Sequence, residues 1–295
     1  MDGDTIIPIF GQFLLIIAII SSVNQIFRFQ NAGNKLFRTI ALITQIFPFF
    51  FLVFAFISDF SSLKLVTEYG GADLPLLYRI SAVWGGRAGP LLLFAALMSI
   101  VTWLMTEREM LDYDVRIMHG FTLGILVISW FLEPFANSAG VTPSELNPLL
   151  QTDLMVIHPP VVFFYYALCI ATAAVAMGGV ISGKSAKDIH ESQLHWARAG
   201  FLAGTIGIGL GGLWAYTVLD WGGYWAWDPV ETGSILPWFA LLLIIHARST
   251  HDSSTSIKIS PALGLISGAL AFHATLVTRA NGCLLYTSDA ADELC

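Results

Sequence analysis

The sequence predicts an all-α fold, a polytopic transmembrane helix bundle of about eight spans, on three observations. Of its 295 residues, 56% are hydrophobic and only 12% are charged, against about 25% charge in an ordinary soluble domain. Eight stretches are apolar over the length of about 20 helical residues that a bilayer core demands. Lys and Arg also divide unevenly between alternate connections, as the positive-inside rule requires when the span count is consistent.

The eight stretches cover roughly residues 7–27, 39–58, 89–105, 117–134, 160–181, 199–218, 234–249 and 260–278. Connections after odd-numbered spans hold Arg28, Lys35, Arg38, Arg108, Arg116, Lys184, Lys187, Arg198, Arg248 and Lys258, ten of the fourteen basic residues. The opposite side has only Lys64, Arg79, Arg87 and Arg279. The first set is therefore expected in the cytoplasm, with the N-terminus and loops 59–88, 135–159 and 219–233 outside, facing the periplasm or its equivalent. No A-x-A site follows the first apolar stretch, which reads as a retained span rather than a leader.

Composition also excludes. The net charge is −7 and no basic face exists to neutralise phosphates, so nucleic acid is not a partner. Cys169, Cys283 and Cys295 form no CxxC pair, no zinc spacing and no CxxCH site.

Taken in order, the first outer loop carries Tyr78-Arg-Ile-Ser-Ala-Val-Trp-Gly-Gly-Arg-Ala-Gly-Pro90, which reads equally as an interfacial aromatic belt or as part of a site. The second ends in His158-Pro159-Pro160; the prolines are expected to hold His158 extended at the entry to the fifth span. There it is either a solvated histidine or an imidazole offered to a metal. Residues 182–198, with His190 and His195, read as a solvated connection. The sixth span is glycine-dense, for close helix packing or to admit a bulky ligand.

Residues 214–238 hold five of the nine tryptophans and no Lys or Arg. Trp221, Tyr224, Trp225 and Trp227, around Gly222 and Gly223, are denser than a belt requires and suit a flat, largely apolar ligand. Asp228-Pro229-Val230-Glu231 is a capping box that starts the next helix. A helix N-terminus attracts carboxylates, and haem, an apolar macrocycle with two propionates, fits both features. His246 is expected about 11–12 residues into the seventh span, ~17 Å deep at ~1.5 Å per residue. His273 is intramembrane by the same count and reads as a ligand, a hydrogen-bond partner or a buried packing residue.

Trp221-Gly-Gly-Tyr-Trp-Ala-Trp-Asp-Pro-Val-Glu231 resembles the tryptophan-rich signature of the haem-handling proteins of cytochrome c maturation. Tyr78–Gly89, Asn147–Pro160, and Trp238 with His246 eight residues on are similar to the CcmF-type branch. The resemblance implies that His158 is one of two external ligands to haem iron. It implies that Trp221, Trp225, Trp227 and Asp228 line an external haem platform, and that His246 ligates a second, intramembrane haem b. It also implies attachment of haem to the CxxCH thiols of apocytochrome c, as a subunit of a haem lyase. The partners would be a haem chaperone, a thiol-handling maturation subunit and membrane lipid. Tyr224, Ala226, Thr232 and Pro90 depart from the family's usual residues. So does everything after Arg279: Ala280–Cys295 is expected to be a non-native tail on the N-terminal part of a longer protein, 1–279. A haem exporter or carrier without ligation activity shares the same features. A secondary transporter of another aromatic anion would instead show an internal repeat, and none is evident.

Overall fold

At Thr152 and Asp228 a side-chain cap decides where a long helix begins. The computed structural model describes residues 3–27, 35–108, 112–218, 223–247 and 255–279. They form α1 (Gly3–Phe27), α2 (Lys35–Ile57), α3 (Lys64–Tyr69), α4 (Leu76–Ala82), α5 (Ala88–Glu107), α6 (Asp112–Phe131), α7 (Asp153–Ile181), α8 (Ala186–Val218), α9 (Pro229–His246) and α10 (Thr255–Arg279). Eight of these, all but α3 and α4, are long and apolar enough to cross a membrane. The all-α expectation and the span count hold, with one isolated bridge, Leu63 to Asn137, outside the helices.

Several starts move outward from the expected positions. α7 begins at Asp153 rather than 160, because Thr152 caps it by accepting from the Met155 N–H at 3.3 Å. His158 is consequently helical, not extended: a helix already nucleated at its cap carries the chain through two prolines. Residues 186–198, expected to be solvated, form the first turns of α8. Gln193 Nε2 there donates to the Ser260 carbonyl at 2.9 Å and to Ser260 Oγ at 2.7 Å. His190 Nδ1 lies 2.7 Å from the same hydroxyl. His190 and Gln193 are buried and His195 is exposed.

Two rings of four helices share a seam. α1, α2, α5 and α6 pack around one another, α7, α8, α9 and α10 do the same, and α7 joins the rings by packing on α5 and α6. α7 and α5 are therefore the most buried spans. Aromatic contacts cross the seam, with Phe94 of α5 5.3 Å from Phe163 of α7 and 6.4 Å from Phe272 of α10 between ring centroids. At one end α3, α4 and the segment after α6 form a cap. Lys64 N donates to the Ala136 carbonyl at 2.9 Å, Ser138 N to Ser62 at 3.0 Å and Ser144 N to Thr67 at 3.1 Å.

Candidate functional site

Under this cap lies a half-open cavity, about 1140 Å³ of atom-free space that includes open solvent at its mouth. Its walls are mainly apolar and come from every part of the capped end: Trp84, Leu150, His158, Phe163, Tyr166, Gly211, Trp214, Trp225 and Glu231 among them.

His158 is placed by two glycines of α8. Its Nδ1 lies 2.9 Å from the Gly207 carbonyl. A carbonyl only accepts, so Nδ1 carries the proton and Nε2 keeps its lone pair. This is the arrangement of a metal-ligating histidine steadied by a backbone acceptor. The ring lies flat enough on α8 that a Cβ at Gly211 would stand 2.6 Å from Cε1. Lower on the same helix, a Cβ at Gly200, Gly204 or Gly207 would meet Leu241, Tyr165 and Val162 at 2.9, 2.8 and 3.0 Å. The glycine-dense span therefore packs closely below and leaves room for the His158 and Tyr224 rings above.

The aromatic loop is built on its cap. Asp228 Oδ1 accepts from the Glu231 N–H at 2.6 Å, with Pro229 at the first helical position. Glu231 reaches past the cap residue, and its Oε2 accepts from the Ala226 and Trp227 N–H groups at 2.8 and 2.9 Å. These bonds hold Trp227 at φ 60°, a left-handed backbone that costs a non-glycine residue about 1–2 kcal/mol. Trp227 is 69% exposed and meets Trp225 edge-on at 5.8 Å. Tyr224 anchors the loop to α8 by donating to the Gly209 carbonyl. A Cβ at Gly212 would lie 2.9 Å from its ring.

Three buried polar atoms on the cavity wall have no hydrogen-bond partner among the described residues: Trp214 Nε1, Trp225 Nε1 and Glu231 Oε1. Leaving such groups unpaired costs about 1–3 kcal/mol each. The helix terminus offers an anion less than expected, because Asp228 caps its Glu231 N–H and the Glu231 carboxylate, held by the Ala226 and Trp227 N–H groups, adds negative charge beside it. Nor is Arg79 available, since it donates to the Leu74, Ile57 and Ala72 carbonyls.

The structure thus brings together His158, Trp225 and Asp228, with Trp227 packed on Trp225 and Gly223 and Tyr224 in the same loop. Trp221 and Gly222 lie outside the described residues. His246 is not among the cavity residues. α9 starts at Pro229, so His246 is its last residue, 17 positions in and ~26 Å along at ~1.5 Å per residue. It is exposed, with Nδ1 2.9 Å from the Leu242 carbonyl. The expected count of about 11–12 residues runs from the apolar stretch at 234, and the helix itself begins five residues earlier, at Pro229 behind its Asp228 cap. His273 is also exposed on α10, which removes its reading as a buried packing residue. Trp84, Trp214 and Glu231 join the site from outside the candidate set. Their signals were the glycine-flanked tryptophan, the glycine-dense span and the capping box.

An eight-span helix bundle with His158 in an aromatic-lined cavity at one end defines a polytopic membrane protein. The chain belongs to the Cytochrome C assembly protein family, which it matches over residues 84–277. It is 31% identical to the cytochrome c-type biogenesis protein CcmF of Escherichia coli K12 over 264 residues, 85% of this chain and 40% of that one. It is 30% identical over 217 residues to the biogenesis protein ccl1 of Rhodobacter capsulatus, 70% of this chain and 33% of the relative. A solved structure named Cytochrome c Heme Lyase CcmF shares the fold, with TM-score 0.74 and 20% identity over 93% of this chain and 47% of that one. The chain spans less than half the length of these relatives.

Proposed function

We propose that the chain is the haem-holding part of an inner-membrane apparatus that attaches haem to apocytochrome c, with the cavity facing the periplasm. The observation that carries this reading is His158, fixed by Gly207 with Nε2 left for a metal, in one cavity with the partnerless indoles of Trp214 and Trp225. Among the described residues no three His, Cys, Asp or Glu converge as a metal cluster. A single imidazole suits a metal that arrives held in its own macrocycle, as haem iron does. Mainly apolar walls suit a macrocycle, and two indole N–H groups suit propionate oxygens.

Haem in this site would supply a redox-active iron and the vinyl groups that thiols attack. This chain's residues ligate, orient and shield. His158 would hold the iron, Trp225 and Trp214 the propionate edge, and Trp227, Tyr224 and Asp228 the loop that covers it. His246 at the inner end of α9 would ligate a second haem b. A haem chaperone, a thiol-handling subunit and apocytochrome c would be the partners, and lipid the surround.

The test is a haemin titration of the chain purified in detergent, followed by its visible spectrum. Wild type is expected to give a histidine-ligated Soret band that His158→Ala loses. No band in wild type, or the same band in His158→Ala, overturns the reading.

A further inference from the structure

Pro159 and Pro160 stand in the second turn of α7, past the first four positions whose N–H groups have no helical partner. In an uninterrupted helix the N–H of residue 159 donates to the carbonyl of residue 155. Proline has no N–H, so the Met155 carbonyl, one turn below His158, loses its helical partner. The Trp84 indole Nε1 donates to that carbonyl at 2.7 Å.

Trp84 is itself fixed. It is 5% exposed, and its backbone N–H closes the end of α4 on the Ser81 carbonyl at 3.1 Å. The Gly85 and Gly86 that follow are closely covered: a Cβ there would lie 3.0 Å from Leu146 Cδ1 and from Tyr69 Cε2 respectively. Met155 and His158, three residues apart, share one face of α7, and both line the cavity with Trp84. A rigid support under Met155 therefore sets the rotation of this turn. That rotation decides where the His158 ring meets Gly207 and Gly211.

We infer that Trp84 is a positioning residue for His158, its indole N–H replacing the backbone hydrogen bond that Pro159 removes. The inference rests on the haem-site reading only for what His158 is positioned to do.

Trp84→Phe keeps the ring and removes the donor, whereas Pro159→Ala returns the missing N–H to the helix. Four proteins are compared: wild type, each single variant and the double variant, all as the 295-residue chain in detergent. Hydrogen exchange over residues 153–158 and the rate of diethyl pyrocarbonate modification at His158 need no haem. Both are expected to rise about two- to tenfold in Trp84→Phe, the range set by one lost hydrogen bond, and by less than about twofold when Pro159→Ala is present. The haem Soret band, where wild type forms one, should shift in Trp84→Phe and return in the double variant.

Equal effects in both proline backgrounds overturn the inference, as does faster exchange with His158 reactivity unchanged. Should Trp84→Phe fail to fold, recovery of folding in the double variant supports the inference and failure in both overturns it. A wild type that binds no haem sinks the haem-site reading and leaves the exchange and modification comparisons intact.

Discussion

The His158 Nδ1 and the Gly207 carbonyl, 49 residues apart in sequence, stand 2.9 Å apart across the α7–α8 contact. The bond fixes the imidazole tautomer and leaves Nε2 as the nitrogen with a lone pair. Losing a hydrogen-bond partner behind a metal ligand lowers affinity about 10–100-fold, so losing the ligand should cost more. His158→Ala is expected to weaken haemin binding by at least about a hundredfold, with partial rescue by added imidazole, read by Soret titration.

Gly211→Ala places a methyl 2.6 Å from His158 Cε1. The ring must yield, at about 1–3 kcal/mol of overpacking. Haemin affinity should fall and the Soret band should shift. Gly120 and Gly124 have no heavy atom within 4 Å of an added Cβ, and alanine there should stabilise its helix by up to about 1 kcal/mol. Thermal unfolding in detergent separates the two classes.

Glu231 ties two loop N–H groups to the α9 cap. Glu231→Ala should destabilise the loop by about 2–4 kcal/mol, since two donors lose a charged acceptor, whereas Glu231→Gln keeps an acceptor and should recover most of this. Asp228→Ala removes only the cap bond and should cost about 1 kcal/mol. Hydrogen exchange at residues 225–231 measures the order: Glu231→Ala fastest, then Asp228→Ala, then Glu231→Gln.

His246 lies at the end of α9 and outside the cavity. His246→Ala is expected to change stability by no more than about 0.5 kcal/mol and to leave the His158-dependent Soret band unaltered. It should remove only a spectrally separate second haem. A change in the first band would mean that the two histidines serve one site.

Tyr78 donates to Asp153 Oδ1 at 3.3 Å, tying α4 to the first turn of α7. Its pKa is raised above 10.0 by loss of solvent and then by the neighbouring Asp153 carboxylate. A raised acid favours the protonated folded form. Its contribution is present below pH 10 and is lost as pH rises through the folded value. Ultraviolet difference titration should show the phenol ionising later than free tyrosine, with Asp153→Asn bringing it back toward the ordinary value.

Much of the bundle was legible because the thickness of the lipid core fixes how long an apolar run must be. The helix starts were less so. The first turns of α8 are polar; Ser185 caps them by accepting from the Asp188 N–H at 3.2 Å, and His190 and Gln193 reach Ser260 about seventy residues away, a contact no local pattern encodes. The α9 cap was readable, since Asp228, Pro229 and Glu231 act within four positions. His158 and Trp225 stood out by type and density. Trp84 did not, because its purpose is a side-chain bond to a carbonyl 71 residues on, freed by a proline of the same helix.

Two of the contacts that build the site end on α8 backbone oxygens, His158 on Gly207 and Tyr224 on Gly209. No substitution can delete a carbonyl; it can only block the way to it. A saturation library across residues 207–212 should therefore rank variants by side-chain volume, nearly blind to charge or polarity. The same library at His158 or Glu231 should rank them by chemistry and tolerate changes in size.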